Sequence, residues 1–580
     1  MSIPTRLARM VRPRREEEQG FFLVFFALIL VLLLGVAGLA VDFSNWTYQG
    51  QQQQKAADAA ALGGAVYLPD DTATAFSTAA DVAAKNGYSN TSDGSTKVVI
   101  AQGVRPNQLK VTITRTVKNV FAQAIGFTTK TITRTATGEY QKPIAMGSPS
   151  NQFGNNPEAN ALSGSAQYPG FWANVAGPDS PKENGDGYQA GNCSIADNCS
   201  GGRNTDYDPK GYSYTVHIGA GAPGSVILQA YDPAFVAVGD TCGKNDDGSN
   251  LIGAAFLPQG QIPGYPTGGA APSERYLPVS NAGDAGDAGL RYCSGDHIFN
   301  TGSAAPDTTY KVLGPATIPG DPNSAPSSPI CSVTFPGFKG DLVPQLKSSS
   351  PWIARPTVAG VPTTFGAMFR AWYPLCAVSG QGDYFIQVST TGSSGTGHNR
   401  FSLCASSATQ SCLTTAGVGI YGNAKMSIYA NVGTDTLTEF YLARVLPGAP
   451  GRTLTLNLFD IGDAANGSTG TLKIVRTRNG ADTDLANCSY TPPPGNSTGP
   501  PWGKFQPTDF QDCRIGPVTS AQYNGQWIQI RVPIDNTMNS CDATNPNDCW
   551  LRIQYRFSGG VNDTTTWSAF IDGDPVRLSQ

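Results

Sequence analysis

The chain has 580 residues, a formal net charge of −4 and only 14% charged residues, with 67 glycines and 42 prolines. This balance, without a basic cluster beyond the N-terminal tail, excludes a nucleic-acid-binding protein. The 40% hydrophobic content is enough for real cores and excludes a wholly disordered chain.

An unbroken apolar run lies near the N-terminus. Phe21 to Val41 contains no charge and no proline, and a helix of this length is about 31 Å long. Five arginines precede the run, and no Lys or Arg follows it before Lys55. Because basic flanks stay cytoplasmic, we predict a cytoplasmic tail over 1–20, a single transmembrane helix over 21–41 and an extracytoplasmic remainder. The rival is a cleaved signal peptide, whose apolar core is usually only about 7 to 15 residues long.

Helix-forming residues follow the span. The segment Gln51–Leu62 is rich in Gln and Ala, so the helix should continue outward as a stalk. A second helix is expected over 72–87, after which strand-like alternation begins. We therefore predict a stalk helix and a small α/β module over 42–140. One face of the stalk carries small residues that would let another helix approach closely, and these are the predicted assembly contacts: Ala56, Ala57, Ala60 and Gly64.

Two further regions complete the chain. Gly, Pro, Asn and Ser dominate residues 141–204, which we predict to be a linker. Beyond it the sequence repeats, since the GAPG motif at 221–224 recurs at 448–451 and later landmarks follow in the same order. Short alternating segments separated by turns indicate antiparallel β-sandwiches. The predicted fold class is mainly β, with two tandem sandwiches over 205–425 (carrying a long insertion) and 426–580.

All 12 cysteines lie at or beyond residue 193, on the predicted outer side of the membrane. An even number of cysteines in an oxidising compartment predicts disulfides. The short spacings 193/199, 404/412 and 541/549 fit loop or hairpin bridges. There is no CxxC motif and the three histidines are far apart, which argues against a zinc site.

Three elements around the span form a recognisable combination: Gln19-Gly20, the stretch Ala37-Gly38-Leu39-Ala40-Val41-Asp42, and the segment QKAADAAALGGA at 54–65. Together with the module through Tyr140, they resemble the TadE/TadG-like family of tight-adherence (Flp) pilus assembly proteins. The resemblance covers about a quarter of the chain. It implies a membrane-anchored, pilin-like protein whose partners are other pilus assembly proteins.

Two departures from that family's patterns matter. Pilins of this system carry a glutamate five residues after a processing glycine, whereas Phe25 stands at that position counted from Gly20. Processing and packing as a major subunit are therefore not expected. Some larger relatives carry a D-x-S-x-S metal motif, which the sequence at 42–46 (DFSNW) breaks.

The remaining motifs favour structural interpretations. The G-x-S-x-G pattern at 495–499 lies between prolines and no histidine follows it, so it is a turn rather than a hydrolase elbow. The acidic segment 240–247 fails the EF-hand pattern and is expected to be a solvated turn, with Asp240, Asn245 and Asp247 as the calcium candidates. Trp550 and Trp567 alternate like core residues. Three other tryptophans are candidates for stacking on a glycan: Trp352, Trp372 and Trp502.

We therefore expect a non-enzymatic structural or interaction protein of a Tad/Flp-type pilus system, a minor pilin-like or pilus-anchoring component without a cofactor. The alternative is an anchored cell-surface adhesin that binds glycan or matrix through its sandwiches. A third hypothesis, an anchored hydrolase, lacks any acid/base or nucleophile constellation in the sequence. Exposed Trp and Tyr on one sandwich edge would favour the adhesin, and a cleft with two facing carboxylates would favour the enzyme.

Overall fold

The structure is a computed structural model. It describes residues 18–69, 71–155, 170–189, 204–232, 237–238, 297–298, 306–335, 337, 368, 372–391, 397–409, 411–432, 435, 437–447, 451–464, 467–478, 480–491, 510–519, 523, 525–536, 538–542, 544–573 and 576–578. The chain forms two compact units, Met1–Gln141 with Asp574–Gln580 and Lys142–Gly573.

The first unit combines two helices with one antiparallel sheet. Its elements are α1 (Glu18–Ala65), α2 (Thr72–Lys85), β1 (Thr96–Gln102), β2 (Gln108–Lys118) and β3 (Thr129–Tyr140), together with the C-terminal strand Val576–Leu578. The span and the stalk form the single helix α1, as their uninterrupted helix-forming composition predicts. The Asp71 side chain caps α2 by accepting a hydrogen bond from the backbone of Thr74.

The described part of the second unit is built mainly from strands, with three short 3-10 helices. In chain order they are β4 (Ala145–Met146), β5 (Gln152–Phe153), β6 (Gly170–Ala176), β7 (Tyr212–Ile218), β8 (Val226–Tyr231), β9 (Ala237–Val238), β10 (His297–Ile298), β11 (Asp307–Leu313), β12 (Cys331–Phe335), β13 (Trp372–Val378), β14 (Gly382–Thr391), β15 (Gly397–Ser406) and β16 (Val418–Asn423). They continue with β17 (Lys425–Val432), β18 (Thr438–Arg444), β19 (Thr453–Phe459), β20 (Thr469–Arg478), β21 (Ala481–Asp484), β22 (Ser489–Thr491), β23 (Phe510–Gln511), β24 (Arg514–Thr519), β25 (Trp527–Pro533), β26 (Trp550–Phe557) and β27 (Val561–Ile571). The C-terminal strand of the first unit is β28.

The sequence repeat corresponds to a repeat of strand topology. In the first half, one sheet has the order β13-β8-β15-β6 and the other the order β12-β11-β14-β7. The second half repeats both orders as β25-β19-β27-β17 and β24-β20-β26-β18. With eight strands numbered along each half, these orders are 6-3-8-1 and 5-4-7-2, the arrangement of a jelly roll. The predicted mainly-β fold with two sandwiches is therefore confirmed, and each sandwich is a jelly roll.

The two sandwiches share a continuous sheet. Strand β6 pairs with β17 in antiparallel register, with Trp172 opposite Tyr429, so that the first sheets of both halves join edge to edge. Strands β4, β5 and β6 all lie within 141–204, where the sequence predicts a linker. They are short or lack clean alternation, and their pairing comes from distant strands such as β15 and β16. The sandwich boundaries at 204/205 and 425/426 remain predictions.

Four disulfides between described cysteines reinforce the sandwiches. Cys331–Cys376 links β12 to β13, which belong to different sheets of the first sandwich, and Cys488–Cys513 makes a similar link beside β22 and β24. The bridges Cys404–Cys412 and Cys541–Cys549 have the eight-residue spacing that the sequence identifies. The pair 193/199 lies outside the described residues.

A carboxyl group is buried in the second sandwich. Asp563 on β27 accepts a hydrogen bond from the backbone NH of Gly462 at 2.9 Å. Burial raises the pKa of Asp563 from 3.8 to about 7, although this hydrogen bond acts in the opposite direction. The folded chain therefore keeps this proton in a pH range where the unfolded chain has lost it.

We expect Asp563→Asn to flatten the pH dependence of stability. Between about pH 4 and 7 the folded state holds one proton more than the unfolded state at this position, so its contribution to stability falls as pH rises. The linkage contribution that the variant removes is on the order of 4 kcal/mol at pH 8 and close to zero at pH 4. Thermal unfolding of the full chain at several pH values measures this. Asp435→Asn, at an exposed position, is the control, and equal pH slopes in wild type and D563N would contradict the expectation.

Candidate functional site: the anchor helix and its docking on the first sheet

Helix α1 passes through two environments. Its N-terminal part, over 22–41, exposes almost every apolar side chain and is long and apolar enough to cross a membrane. Its C-terminal part packs against the module's own elements, chiefly β3 and α2. The change comes at Asp42, which follows the last residue of the predicted span and is fully buried.

Asp42 attaches the helix to the connection between β2 and β3. Its carboxylate accepts hydrogen bonds from three successive backbone NH groups, those of Val120, Phe121 and Ala122, at 2.8, 2.9 and 2.6 Å. These groups lie at the start of the short 3-10 helix Ala122–Ile125, where backbone NH groups lack partners within the helix. A carboxylate suits this position because it accepts several such bonds at once and complements the positive end of the helix.

Further polar side chains of α1 contribute to the attachment. The Trp46 indole Nε1 donates a hydrogen bond to Asn119 Oδ1 at 2.8 Å. The buried Gln53 amide donates to the carbonyl oxygens of Ile113 on β2 and Ile132 on β3. Unpaired buried amides are costly, so these contacts fix both the height and the rotation of the helix on the sheet.

The predicted assembly residues pack inside this module. Ala56, Ala57 and Ala60 are buried, and a Cβ added at Gly64 would collide with Leu109, Ala75 and Ala79. The small-residue face is therefore occupied by the chain's own sheet and by α2. A helix of another protein could pack on this face only by displacing the sheet and α2. The predicted assembly role of these four residues therefore stays a prediction, and their burial within the module does not support it.

The glycan-stacking candidates are divided. Trp372 on β13 is 0% exposed and packs edge-on against Tyr231, with ring centroids 5.4 Å apart, so neither ring face is open to a sugar. Trp550 and Trp567 are buried, as their alternation predicts. Trp352 and Trp502 lie outside the described residues. So do the calcium candidates Asp240, Asn245 and Asp247. The described residues contain no cluster of three or more His, Cys, Asp or Glu side chains suited to a metal.

Folding brings together two polar groups that the sequence does not pair. His217 Nδ1 lies 2.6 Å from Asp383 Oδ1, across neighbouring strands β7 and β14. On β26, Arg552 forms ion pairs with both Glu439 and Asp482. Burial raises the pKa of Glu439, and the neighbouring Asp482 adds to this rise. Both carboxylates thus share one guanidinium on a sheet face, an arrangement typical of a structural ion-pair network.

A cleft with both polar and apolar lining residues lies where the two sandwiches meet. Its volume is about 630 Å³, and its lining includes side chains from β7, β11, β14, β17 and β27. Lys311 and Gln387 come from the first sandwich, and Lys425 from the second. Lys425 Nζ pairs with Asp208 at 3.1 Å and lies over the Tyr188 ring. Sequence patterns could not locate this cleft, because its lining residues come from segments that lie far apart in the chain, from Tyr188 to Ser568.

Comparison with known proteins identifies a similarity in one part of the chain only. Residues 20–66 match the family model described as putative Flp pilus-assembly TadE/G-like, which confirms the resemblance expected from the N-terminal motifs. The match coincides almost residue for residue with α1 (Glu18–Ala65). No curated protein and no solved structure matches the chain. The family's similarity therefore lies in the anchor helix, including Asp42, Gln53 and the small-residue face.

We expect Gly64→Ala to destabilise the N-terminal module by about 1–3 kcal/mol, because the added methyl group meets backbone and side-chain atoms with little room to move. Gly35→Ala is the matched control, since a Cβ there meets nothing within 4 Å and alanine favours a helix. Hydrogen–deuterium exchange of β2 and β3 in the detergent-solubilised full chain measures the effect. Equal exchange in G64A and G35A would contradict the observed packing.

Proposed function

We propose that this chain is a membrane-anchored structural component of a Tad/Flp-type pilus assembly system, a minor pilin-like or pilus-anchoring protein. The observation that carries the proposal is the coincidence of the TadE/G-like match with a helix that is lipid-compatible at one end and docked on a sheet at the other. The structure supports an anchor that is rigidly continuous with the module beside it. Other pilus assembly proteins are its proposed partners.

The proposed orientation places the second unit outside the cytoplasm. Five arginines precede the span, which favours a cytoplasmic N-terminus. Four disulfides join described cysteines of the second unit, and no described cysteine is free. Since structural disulfides form and persist in oxidising compartments, they support the same orientation independently of the charge pattern.

In this role the span and the module would hold the protein at the pilus base or in the pilus. The two jelly rolls would act as a spacer or would present a recognition surface. The small-residue face of α1 packs within the module, so contacts with the machinery would use the exposed helix surface between Phe22 and Val41. Close packing between membrane helices requires shape complementarity rather than hydrophobicity alone. The sequence of the span, and not only its apolar character, would therefore matter.

A complementation experiment tests this function. Deletion of the gene should abolish or greatly reduce surface pili, counted by electron microscopy, and the full chain should restore them. A chain whose residues 21–41 are replaced by an unrelated Leu/Ala helix should remain in the membrane and fail to restore pili or to retain pilus components after crosslinking. Normal pili in the deletion strain would refute the proposal. Full restoration of pili by the chain with the Leu/Ala helix would show that the span serves only as a membrane anchor and makes no specific contacts.

The cleft between the sandwiches favours a second candidate function, an anchored adhesin. Its lysine, asparagine and glutamine side chains could hydrogen-bond to a polar ligand such as an oligosaccharide, and its size suits several sugar units. This function does not depend on the tryptophans, of which Trp372 is buried.

We expect the double change Lys311→Ala and Gln387→Ala to weaken binding of such a ligand at least tenfold, because each removed hydrogen bond to a bound ligand is worth about 1–2 kcal/mol. Glycan-array binding by the purified full chain identifies the ligand, and titration measures the change. Lys473→Ala on β20, outside the cleft lining, is the control. If no glycan binds wild type, or if the double variant binds as wild type does, the adhesin reading of this cleft fails.

A further inference from the structure

The connection between β2 and β3 is an uncharged loop with exposed apolar side chains. Its ten residues, 119–128 (NVFAQAIGFT), contain no ionisable group. Val120, Phe121, Ile125 and Phe127 expose 55%, 49%, 64% and 67% of their surface. Four large apolar side chains so exposed in one short loop mark an interaction surface rather than ordinary surface variation.

The loop lies beside the end of the membrane span. The three hydrogen bonds to Asp42 hold residues 120–122 at that point of the helix. Phe121 reaches further, because a Cβ added at Gly38 would lie only 2.9 Å from its side chain. Gly38 and Asp42 are one turn apart on the same face of α1. The Phe121 side chain therefore lies about 6 Å from Asp42 along the helix axis, beside the last turn of the predicted span. The glycine provides the room for this close approach.

The flanks of the loop have the character of a membrane interface. Exposed Lys118 and Lys130 border it on β2 and β3. Lys130 Nζ lies 5.7 Å from the centre of the Trp46 ring, whose Nε1 binds Asn119. Tryptophan and lysine side chains of this kind sit at the headgroup level, with their apolar parts toward the hydrocarbon and their polar ends toward water.

We propose that residues 119–128 insert into the leaflet from which α1 emerges, so that the N-terminal module lies against the bilayer surface. The apolar side chains enter the edge of the hydrocarbon, and Lys118 and Lys130 meet the phosphate groups of the lipids. The bilayer is the occupant because the Phe121 side chain lies against Gly38 of the span, so that the apolar surface of the loop adjoins the apolar surface of the span. This inference needs only a membrane-spanning α1 and is independent of a role in pilus assembly.

Site-specific photo-crosslinking in native membranes tests the proposal with the full chain. The photoreactive residue p-benzoylphenylalanine replaces Phe127 in one variant, Leu30 in the span in a second and Val104 in a third. Val104 is the matched control, since it is 99% exposed and lies in the β1–β2 turn at the opposite end of β2. Mass spectrometry of the purified protein then quantifies covalent lipid adducts at each position.

We expect lipid adducts at position 127 at least fivefold above those at 104 and within about threefold of those at 30. Asp42→Ala, which releases the loop from the helix, should lower the adducts at 127 and leave those at 30 unchanged. Lipid adducts at 127 no higher than at 104 would overturn the proposal. Adducts at 127 that join a second protein chain instead of lipid would also overturn it, because they would show that a protein covers the loop.

Discussion

A single buried carboxylate, that of Asp42, attaches the membrane-compatible helix α1 to the sheet of the N-terminal module. Asp42 stands where α1 leaves the predicted span, and its two oxygens accept all three backbone hydrogen bonds offered by residues 120–122. The Asp42 carboxylate and the NH groups of residues 120–122 are both removed from water. A buried charge without hydrogen bonds and three buried NH groups without acceptors would each cost free energy. Because they satisfy each other, the helix and the sheet have one mutual position. The burial of Gln53, of the alanine face and of Gly64 then follows from that position.

The second unit depends on a different constraint, the pairing of β6 with β17. Each half needs eight strands to close a jelly roll, and the first strand of each half pairs with the last strand of its own half, on one side, and with its counterpart on the other. This arrangement converts two sheet edges, which could otherwise pair with foreign strands, into the centre of one sheet. The cleft at which the sandwiches meet has a lining that draws on both halves.

The sequence predicts most features that depend on local pattern. The helix follows from composition, the sandwiches from alternation, and the repeat from recurring landmarks that turn out to occupy equivalent strands. Two eight-residue cysteine pairs are predicted by spacing. The sequence does not predict features that depend on a packing or pairing partner far away in the chain. Small residues in α1 look the same whether they pack on a foreign helix or on the chain's own sheet, and only the fold distinguishes these cases.

The same limitation explains the other differences. Strand β6 follows a stretch rich in Asn, Pro, Ser and Gly, and its pairing partners β15 and β17 are more than 200 residues away. Trp372 begins the continuous apolar segment WYPLCAV, and such an unbroken run could have indicated burial. The triple hydrogen bond of Asp42 leaves no trace in the sequence beyond an acidic residue at the end of an apolar helix.

The C-terminal strand has a mechanical consequence. Residues Val576–Leu578 pair with β3, opposite Gly138 to Tyr140, and Arg577 lies 3.7 Å from the buried carboxylate of Glu139. The polypeptide therefore enters the second unit from β3 and returns to the strand beside β3. A pulling force on the jelly rolls therefore reaches the first unit at two places, through the covalent connection to β3 and through the C-terminal strand, which is held on β3 by hydrogen bonds. Tension divided in this way loads each connection less, and the returning strand detaches only when both its hydrogen bonds to β3 and the contact between Arg577 and Glu139 are lost.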